Sequence, residues 1–380
     1  MEFDSDLEPV APRPLRKDYR IGIIGAGFVI RDVQIPAYRH AGYTVAAIAS
    51  RTPETAHEVA DRHGIPHVYD TPERLFEDKR IDIVDLAVPP DQQLAIVREA
   101  VRHADHIQGI LAHKPLALNY RDAAEIVRLC EDAKITLAVN QNMRHDPSIR
   151  ALGSLLRRGS LGEAVLATIE MRATPHWQTW LHEYGRLTLL NMSVHHLDCF
   201  RFLFGDPDAI YASARTDPRT RFAHSDGICL YVLEYANGLR AAAWDDVWAG
   251  PGPHGAAPDP FVKWRVEGTA GIAQGSVGWP EFPNRRPSRI RFSTLDTDGC
   301  WVTPQWNDVW FPDAFAGTMG ELMDAVARGI EPGIGGRDNL RTMALVEAGY
   351  RSLEEHRAVR VEEIAAGLPG GTLGGKLAAP

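Results

Sequence analysis

Long apolar runs are missing from this chain. No stretch approaches the ~18 residues of a membrane span, so no membrane partner is expected. Basic runs are missing too: Lys and Arg cluster only in pairs and triplets such as Arg157-Arg158. They number 41 against 50 Asp and Glu, a net charge of −9 over 380 residues. Gripping a nucleic-acid backbone needs a local excess of cations, so nucleic acid is not expected as a partner either. Cysteine is scarce and scattered, at Cys130, Cys199, Cys229 and Cys300, with no CxxC pair. That spacing signals neither a zinc site nor a disulfide framework, so no metal is expected. Reduced core thiols in a cytoplasmic protein are the reading. The opening Met1-Glu2-Phe3-Asp4-Ser5-Asp6 is acidic where a secretory signal would be basic.

What is present is a globular composition, 44% hydrophobic, and a regular rhythm of strands and helices. Residues 1–18 carry Pro9, Pro12, Pro14 and many charges without periodicity, and read as a flexible lead-in. Apolar runs at 21–24, 45–49, 81–88, 107–112 and 135–139 read as buried strands. Helical patterns alternate with them. Thr52-Pro53-Glu54 and Thr71-Pro72-Glu73 each place an N-cap residue before a first-turn proline and an acid, and Asn119 caps a helix to about Ala133. Such alternation predicts an α/β Rossmann domain over 19–145 with a parallel sheet.

After about Arg144 the rhythm changes. Helical 147–158 precedes a strand over 163–172 and a helix over 189–204, then strands over 209–215, 227–235, 239–247 and 262–267. Asn237-Gly238 marks a hairpin. Successive strands joined by turns predict an α+β domain over 146–366 with a large open antiparallel sheet. Residues 249–260 and 276–312 read as long loops over a site or insertions at an interface, helical 319–328 and 337–355 close the fold, and 367–380 read as a flexible tail.

Gly25-Ala26-Gly27-Phe28-Val29-Ile30 lies between a strand and a helix. There Gly25 permits a tight turn, and Gly27 lets backbone N–H groups approach a pyrophosphate at a helix N-terminus. Ile30 replaces the third glycine of that fingerprint. The second strand ends in Ser50-Arg51 where an acid would repel a 2′-phosphate, so NADP is favoured over NAD, which stays usable if Arg51 only stacks on adenine or faces solvent. His113-Lys114-Pro115 closes another strand at the same sheet edge. On the helix over 189–204, Asn191, His195 and Asp198 fall at i, i+4 and i+7, one face, with His196 about 100° away. Asn142 and Arg144 follow the last strand of the first domain and by topology point toward the same crevice, for substrate contact or for interdomain bridging. His176, Trp177 and Trp180 could form a sugar-binding platform or pack a loop.

Together the glycine turn, Val88-Pro89-Pro90, His113-Lys114-Pro115, the Asn191–Asp198 helix, Glu267-Gly268-Thr269 and Ala348-Gly349-Tyr350-Arg351-Ser352 resemble the Gfo/Idh/MocA oxidoreductases over about residues 19–365. The resemblance implies a dinucleotide held by Gly25, Gly27, Phe28, Val29, Ser50, Arg51, Val88, Pro89, Gln93, His113 and Lys114. It implies hydride transfer to or from a secondary hydroxyl of a sugar or polyol, and a homo-oligomer, dimer or tetramer. Lys114 would stabilise the oxyanion, His195 would serve as acid/base, and Asn191 would orient it. Asn142, Arg144, His176, Trp177 and Asp198 would meet the substrate. The family's Glu-Lys-Pro reads His113-Lys114-Pro115 here, and its Asp-x-x-x-His reads Asn191 to His195. Two alternatives accompany this reading: a cofactor-recycling glycosidase or lyase working through transient ring oxidation, and a non-catalytic binder of the same fold.

Overall fold

The computed structural model describes residues 7–11, 13–173, 179–247, 260–279 and 282–366. Two compact units divide them. One takes Ala11–His145 and Phe311–Leu340; the other takes the described residues before Ala11, Asp146–Trp310 and those from Arg341 on. A single cut at 145/146 therefore misses the return of 311–340 to the first unit.

In the first unit, β1 (Arg20–Ile24), α1 (Ile35–Ala41), β2 (Thr44–Ala49), α2 (Pro53–His63), β3 (His67–Tyr69), α3 (Pro72–Phe76), β4 (Ile83–Leu86), α4 (Pro90–Ala100), β5 (Gly109–Ala112), α5 (Tyr120–Asp132) and β6 (Thr136–Val139) alternate. The six strands pair in parallel in the order β3-β2-β1-β4-β5-β6. Order reverses beside β1, which in such sheets opens a crevice at the carboxyl ends of the strands. The short β3 was not expected: its three residues, His67-Val68-Tyr69, are all half-buried and carry no apolar run. Thr71 and Asn119 cap their helices by accepting from Arg74 N and Asp122 N, whereas Thr52 makes no side-chain cap and leaves that start to Pro53. Ile21, Ile23, Ile48, Ile83 and Leu111 form a core joined by Met319, Leu322 and Met323, which is why 311–340 belongs here.

The second unit holds α6 (Pro147–Arg157), β7 (Ala164–Arg172), α7 (Val194–Phe204), β8 (Ala209–Arg215), β9 (Ile228–Glu234), β10 (Arg240–Asp246), β11 (Phe261–Gly268), β12 (Gly271–Ser276) and β13 (Arg289–Thr294). Helix α8 (Phe315–Arg328) lies in the first unit. Then come α9 (Gly336–Glu355), β14 (Val359–Arg360) and α10 (Glu362–Ala366). Eight strands pair in the order β13-β12-β11-β7-β10-β9-β8-β14. All pairs are antiparallel except β7 with β10, so the expected antiparallel sheet carries one parallel pair. Burial alternates along β9 and β11, giving one packed and one open face. The Asn237-Gly238 turn joins β9 to β10, with Gly238 at φ 93°.

Four expectations are corrected. Residues 276–312 contain β13, whose Ile290 and Phe292 are buried beneath a charged outer row. The fold continues past α9 through β14, which pairs with β8. The lead-in 1–18 is anchored in part: Leu7 is buried, and Leu15 N donates to Asp324 Oδ1 at 3.1 Å. Of the cysteines, Cys130, Cys199 and Cys229 are buried, but Cys300 is exposed rather than in a core. The tail 367–380 lies outside the described residues.

Candidate active site

The parallel sheet gathers five segments at its carboxyl edge: Gly25 to Gly27 after β1, Ser50-Arg51 after β2, Val88-Pro89 after β4, His113-Lys114 after β5 and Asn142 after β6. Gly25 sits at φ 109°, and its N–H donates to Ala49 O at 2.8 Å. A Cβ there would stand 2.2 Å from Ala87 O, whereas a Cβ at Gly27 meets nothing within 4 Å. The first glycine is thus required by the turn itself. The second keeps a cradle open in front of the helix that follows. That helix opens as a wide π-turn over Val29–Gln34, with Phe28 and Val29 half-buried and Ile30 in the core. Ile30 fills the place where the fingerprint has its close-packing glycine. The open cradle, the exposed Arg51 and the backbone N–H groups at a helix start fit a dinucleotide phosphate chemically.

Lys114 follows β5 half-buried, and burial lowers its amine to about 7. Burial and the neighbouring Lys114 charge push the His113 ring down to about 3, so it is neutral. Its Nε2 lies 2.8 Å from Gln34 Oε1. Gln93 was expected to touch the cofactor. It is instead fully buried, and its Nε2 donates to the carbonyls of His113 at 3.0 Å and Pro115 at 2.9 Å. Its amide clamps the main chain that carries Lys114. Asn142 is buried and donates to Asn140 O and Oδ1. Arg144 is buried as well: it donates to Gly333 O at 2.9 Å and pairs with Asp338 at 2.6 Å. The expectation of a substrate contact for Arg144 gives way to a framework tie within its own unit.

The second unit carries the helix with Asn191 and His195. It begins as a π-turn over Leu189–Ser193 and continues as α7. Asp226 fixes its start, accepting from Leu187 N, Leu189 N and Tyr350 OH, while burial raises its carboxyl above the ordinary range. His195 is 4% exposed and Asn191 2%. Asp198, expected to face substrate one turn from His195, is buried and accepts from Thr342 Oγ1 at 2.8 Å, with Arg201 Nη1 at 3.9 Å. It ties α7 to α9 instead. The carboxylate beside this helix is one the spacing did not point to: Asp245 of β10, which lies 2.9 Å from His196 Nδ1 and accepts from the Ser193 hydroxyl. His176 and Trp177 lie outside the described residues, and Trp180 packs on Tyr184 at 5.7 Å between ring centroids. Among the described residues no group of three or more His, Cys, Asp or Glu is arranged to hold a metal, and no helix is long and apolar enough to cross a membrane.

Residues missed by pattern reading are Gln34, Tyr38, Asp85 and Asp245. An acid inside the apolar strand 83–86, and a Gln and Tyr four apart on the helix after the glycine turn, were the available signals.

The family model described as "Oxidoreductase family, NAD-binding Rossmann fold" matches residues 19–141, and the "GFO/IDH/MocA C-terminal domain" model matches residues 149–274. D-apiose dehydrogenase of Rhizobium rhizogenes is 29% identical over 89% of this chain and 96% of its own length. D-xylose 1-dehydrogenase (NADP(+)) 2 of Haloferax volcanii is 28% identical over 90% and 99%. The solved structure of an oxidoreductase from Agrobacterium radiobacter, in complex with NAD+, L-tartaric acid and magnesium, superposes with a TM-score of 0.76 at 27% identity, covering 90% of this chain and 98% of that one. With the glycine cradle at the carboxyl edge of a six-stranded parallel sheet, these likenesses establish that this chain belongs to the Gfo/Idh/MocA oxidoreductase family.

Proposed function

We propose that this protein transfers a hydride between NAD(P) and the carbon of a secondary hydroxyl or ketone in a sugar, glycoside or cyclitol. The observation that carries the reading is the half-buried Lys114 amine at the sheet edge that also holds the Gly25–Gly27 cradle. The names of the apiose and xylose dehydrogenases support a sugar-type substrate. When bound, the nicotinamide supplies the hydride acceptor or donor. Lys114 as a cation stabilises negative charge developing on the substrate oxygen. His195 takes the hydroxyl proton during oxidation and returns it during reduction, a role suited to imidazole near neutral pH. Asn191 cannot ionise, so it orients by hydrogen bonding alone.

The exposed Arg51, with no ion pair among the described residues, supports NADP as the preferred dinucleotide. Tyr211, Leu230 and Val232 are exposed on β8 and β9 of the open sheet face, and Tyr211 pairs across with Val232. An exposed apolar row of this kind supports a homo-oligomer, checked by light scattering on the purified chain. The deciding experiment is a panel of sugars, cyclitols and glycosides with NAD and NADP, followed by nicotinamide absorbance. Reduction of the dinucleotide by one polyol class is the expected result, and no absorbance change with any of them would sink the reading.

A further inference from the structure

Behind Lys114 runs a chain of buried side chains that the proposed reaction does not use. Asp85 is fully buried in β4, and its Oδ2 accepts from Gln34 Nε2 at 2.6 Å and from Tyr38 OH at 2.8 Å. Gln34 Nε2 also donates to Tyr38 Oη at 2.7 Å. Both amide hydrogens of Gln34 are therefore directed at these two oxygens, which turns its Oε1 toward His113 Nε2 at 2.8 Å. A carbonyl oxygen only accepts, so the hydrogen in that contact sits on His113 Nε2. Burial raises Asp85 to about 7. A proton taken up on its unpartnered Oδ1 leaves Oδ2 accepting as before, so the orientation survives on both sides of that value.

A neutral imidazole with its hydrogen on Nε2 carries a bare lone pair on Nδ1. Among the described residues that atom has no partner, and it is not one of the buried unsatisfied atoms. The side chain keeps 17% of its surface. Its main chain is held from the other side by Gln93. The groups facing His113 are Asp85 from β4, with Oδ1 at 3.7 Å, Gln34 with Tyr38 from the helix after the glycine turn, and Lys114 beside it in the chain.

We propose that Asp85 and Gln34 lock His113 in its Nε2–H form, so that Nδ1 serves as an uncharged hydrogen-bond acceptor for an N–H or O–H donor on a ligand at this sheet edge. A carboxylate at this position, the residue of the family pattern, would accept too, but would add a negative charge beside Lys114. Two ligands carry a fitting donor: the dinucleotide, through its carboxamide or a ribose hydroxyl, and the sugar, through a hydroxyl. The identity of the ligand rests on the proposed function; the lock itself does not.

The test uses the full chain labelled with 15N-histidine, observed by long-range proton–nitrogen spectra at about pH 8. His113, assigned by the signal lost in His113→Asn, is expected to show a protonated Nε2 and an unprotonated Nδ1. The isosteric Asp85→Asn, which lets the Gln34 amide turn over, is expected to mix the two forms. Adding NAD or NADP alone, then a sugar in the presence of the dinucleotide, separates the two donors: the Nδ1 signal moves in the arm that supplies the bond. In that arm His113→Leu should weaken binding about tenfold, the scale of one hydrogen bond, and His113→Asn, with Oδ1 near the lost Nδ1, should recover most of it. A protonated Nδ1 in the wild-type protein overturns the lock, and an Nδ1 signal that moves with neither ligand overturns the acceptor role. Failure to bind either dinucleotide would count against the proposed function instead, while the spectrum of the free protein still decides the lock.

Discussion

The imidazole of His195 stands perpendicular to the indole of Trp310, with centroids 5.5 Å apart and planes at 88°. Trp310 meets Trp279 in the same manner at 6.2 Å. Such T-shaped contacts restrain a ring without charging it, so packing contributes to the orientation of His195. His195→Asn keeps a polar group of smaller size and removes the proton acceptor. Turnover is expected to fall by ~10²–10⁴-fold, and the pH–rate profile of oxidation to lose its acid-side limb, with dinucleotide affinity retained. A variant turning over at the wild-type rate would remove His195 from the reaction.

The two glycines of the cradle predict opposite outcomes for one added methyl group. Gly25→Ala places a Cβ against Ala87 O at φ 109°, a strained geometry that should cost ~1–3 kcal/mol of stability. Gly27→Ala meets no protein atom, so its melting temperature should match the wild type while dinucleotide affinity falls at least about tenfold, because the methyl occupies the space a phosphate would take. Thermal melts and a fluorescence titration separate the two. Unchanged affinity in Gly27→Ala would place the phosphate elsewhere.

Much of this architecture was legible because local signals agreed with tertiary ones. The apolar run 21–24 became a central strand and 135–139 the edge strand β6, and Asn119 capped the helix it preceded. What escaped reading depended on partners distant in the chain. β13 hides its two buried apolar residues among arginines, and pairs with β12 only because the sheet supplies an edge. Arg144 and Asp198 looked like ligand contacts by position, yet Asp338 and Thr342 claim them from 194 and 144 residues away. Conversely, Asp85 looked like one more residue of a buried strand. Its use is visible only once Gln34 and Tyr38 fold over it.

Lys114 carries a pH signature in stability as well as activity. Its folded-state value of about 7 lies below that of a free lysine. Between the two values the unfolded chain holds a proton that the folded chain has released, so stability rises with pH across that window. The penalty for the buried cation is fully present below about pH 7. Lys114→Met removes the penalty. Its melting temperature should exceed the wild type at about pH 6, by roughly 2 °C per kcal/mol, and the gain should shrink to nothing by about pH 10. Turnover of the same variant should drop ~10²–10³-fold for want of the oxyanion partner. Scanning fluorimetry across pH checks the first expectation; a difference independent of pH would mean that the amine is not the source.

The proposed preference for NADP rests on Arg51. It follows β2 at the carboxyl edge, is exposed, and makes no ion pair among the described residues, while the neighbouring Ser50 Oγ accepts from Thr52 N at 3.3 Å. An unpaired guanidinium can grip a 2′-phosphate bidentately, which a neutral side chain cannot. Arg51→Ala should therefore weaken NADP by ~10–100-fold, the scale of one or two charge-assisted hydrogen bonds, and leave NAD within about twofold. Arg51→Asp should go further, because a carboxylate repels the phosphate and accepts from the 2′-hydroxyl of NAD. Dissociation constants for both dinucleotides with each variant give the answer. Equal loss of NAD and NADP in Arg51→Ala would mean that the side chain stacks on the adenine common to both, and that phosphate recognition lies with another residue.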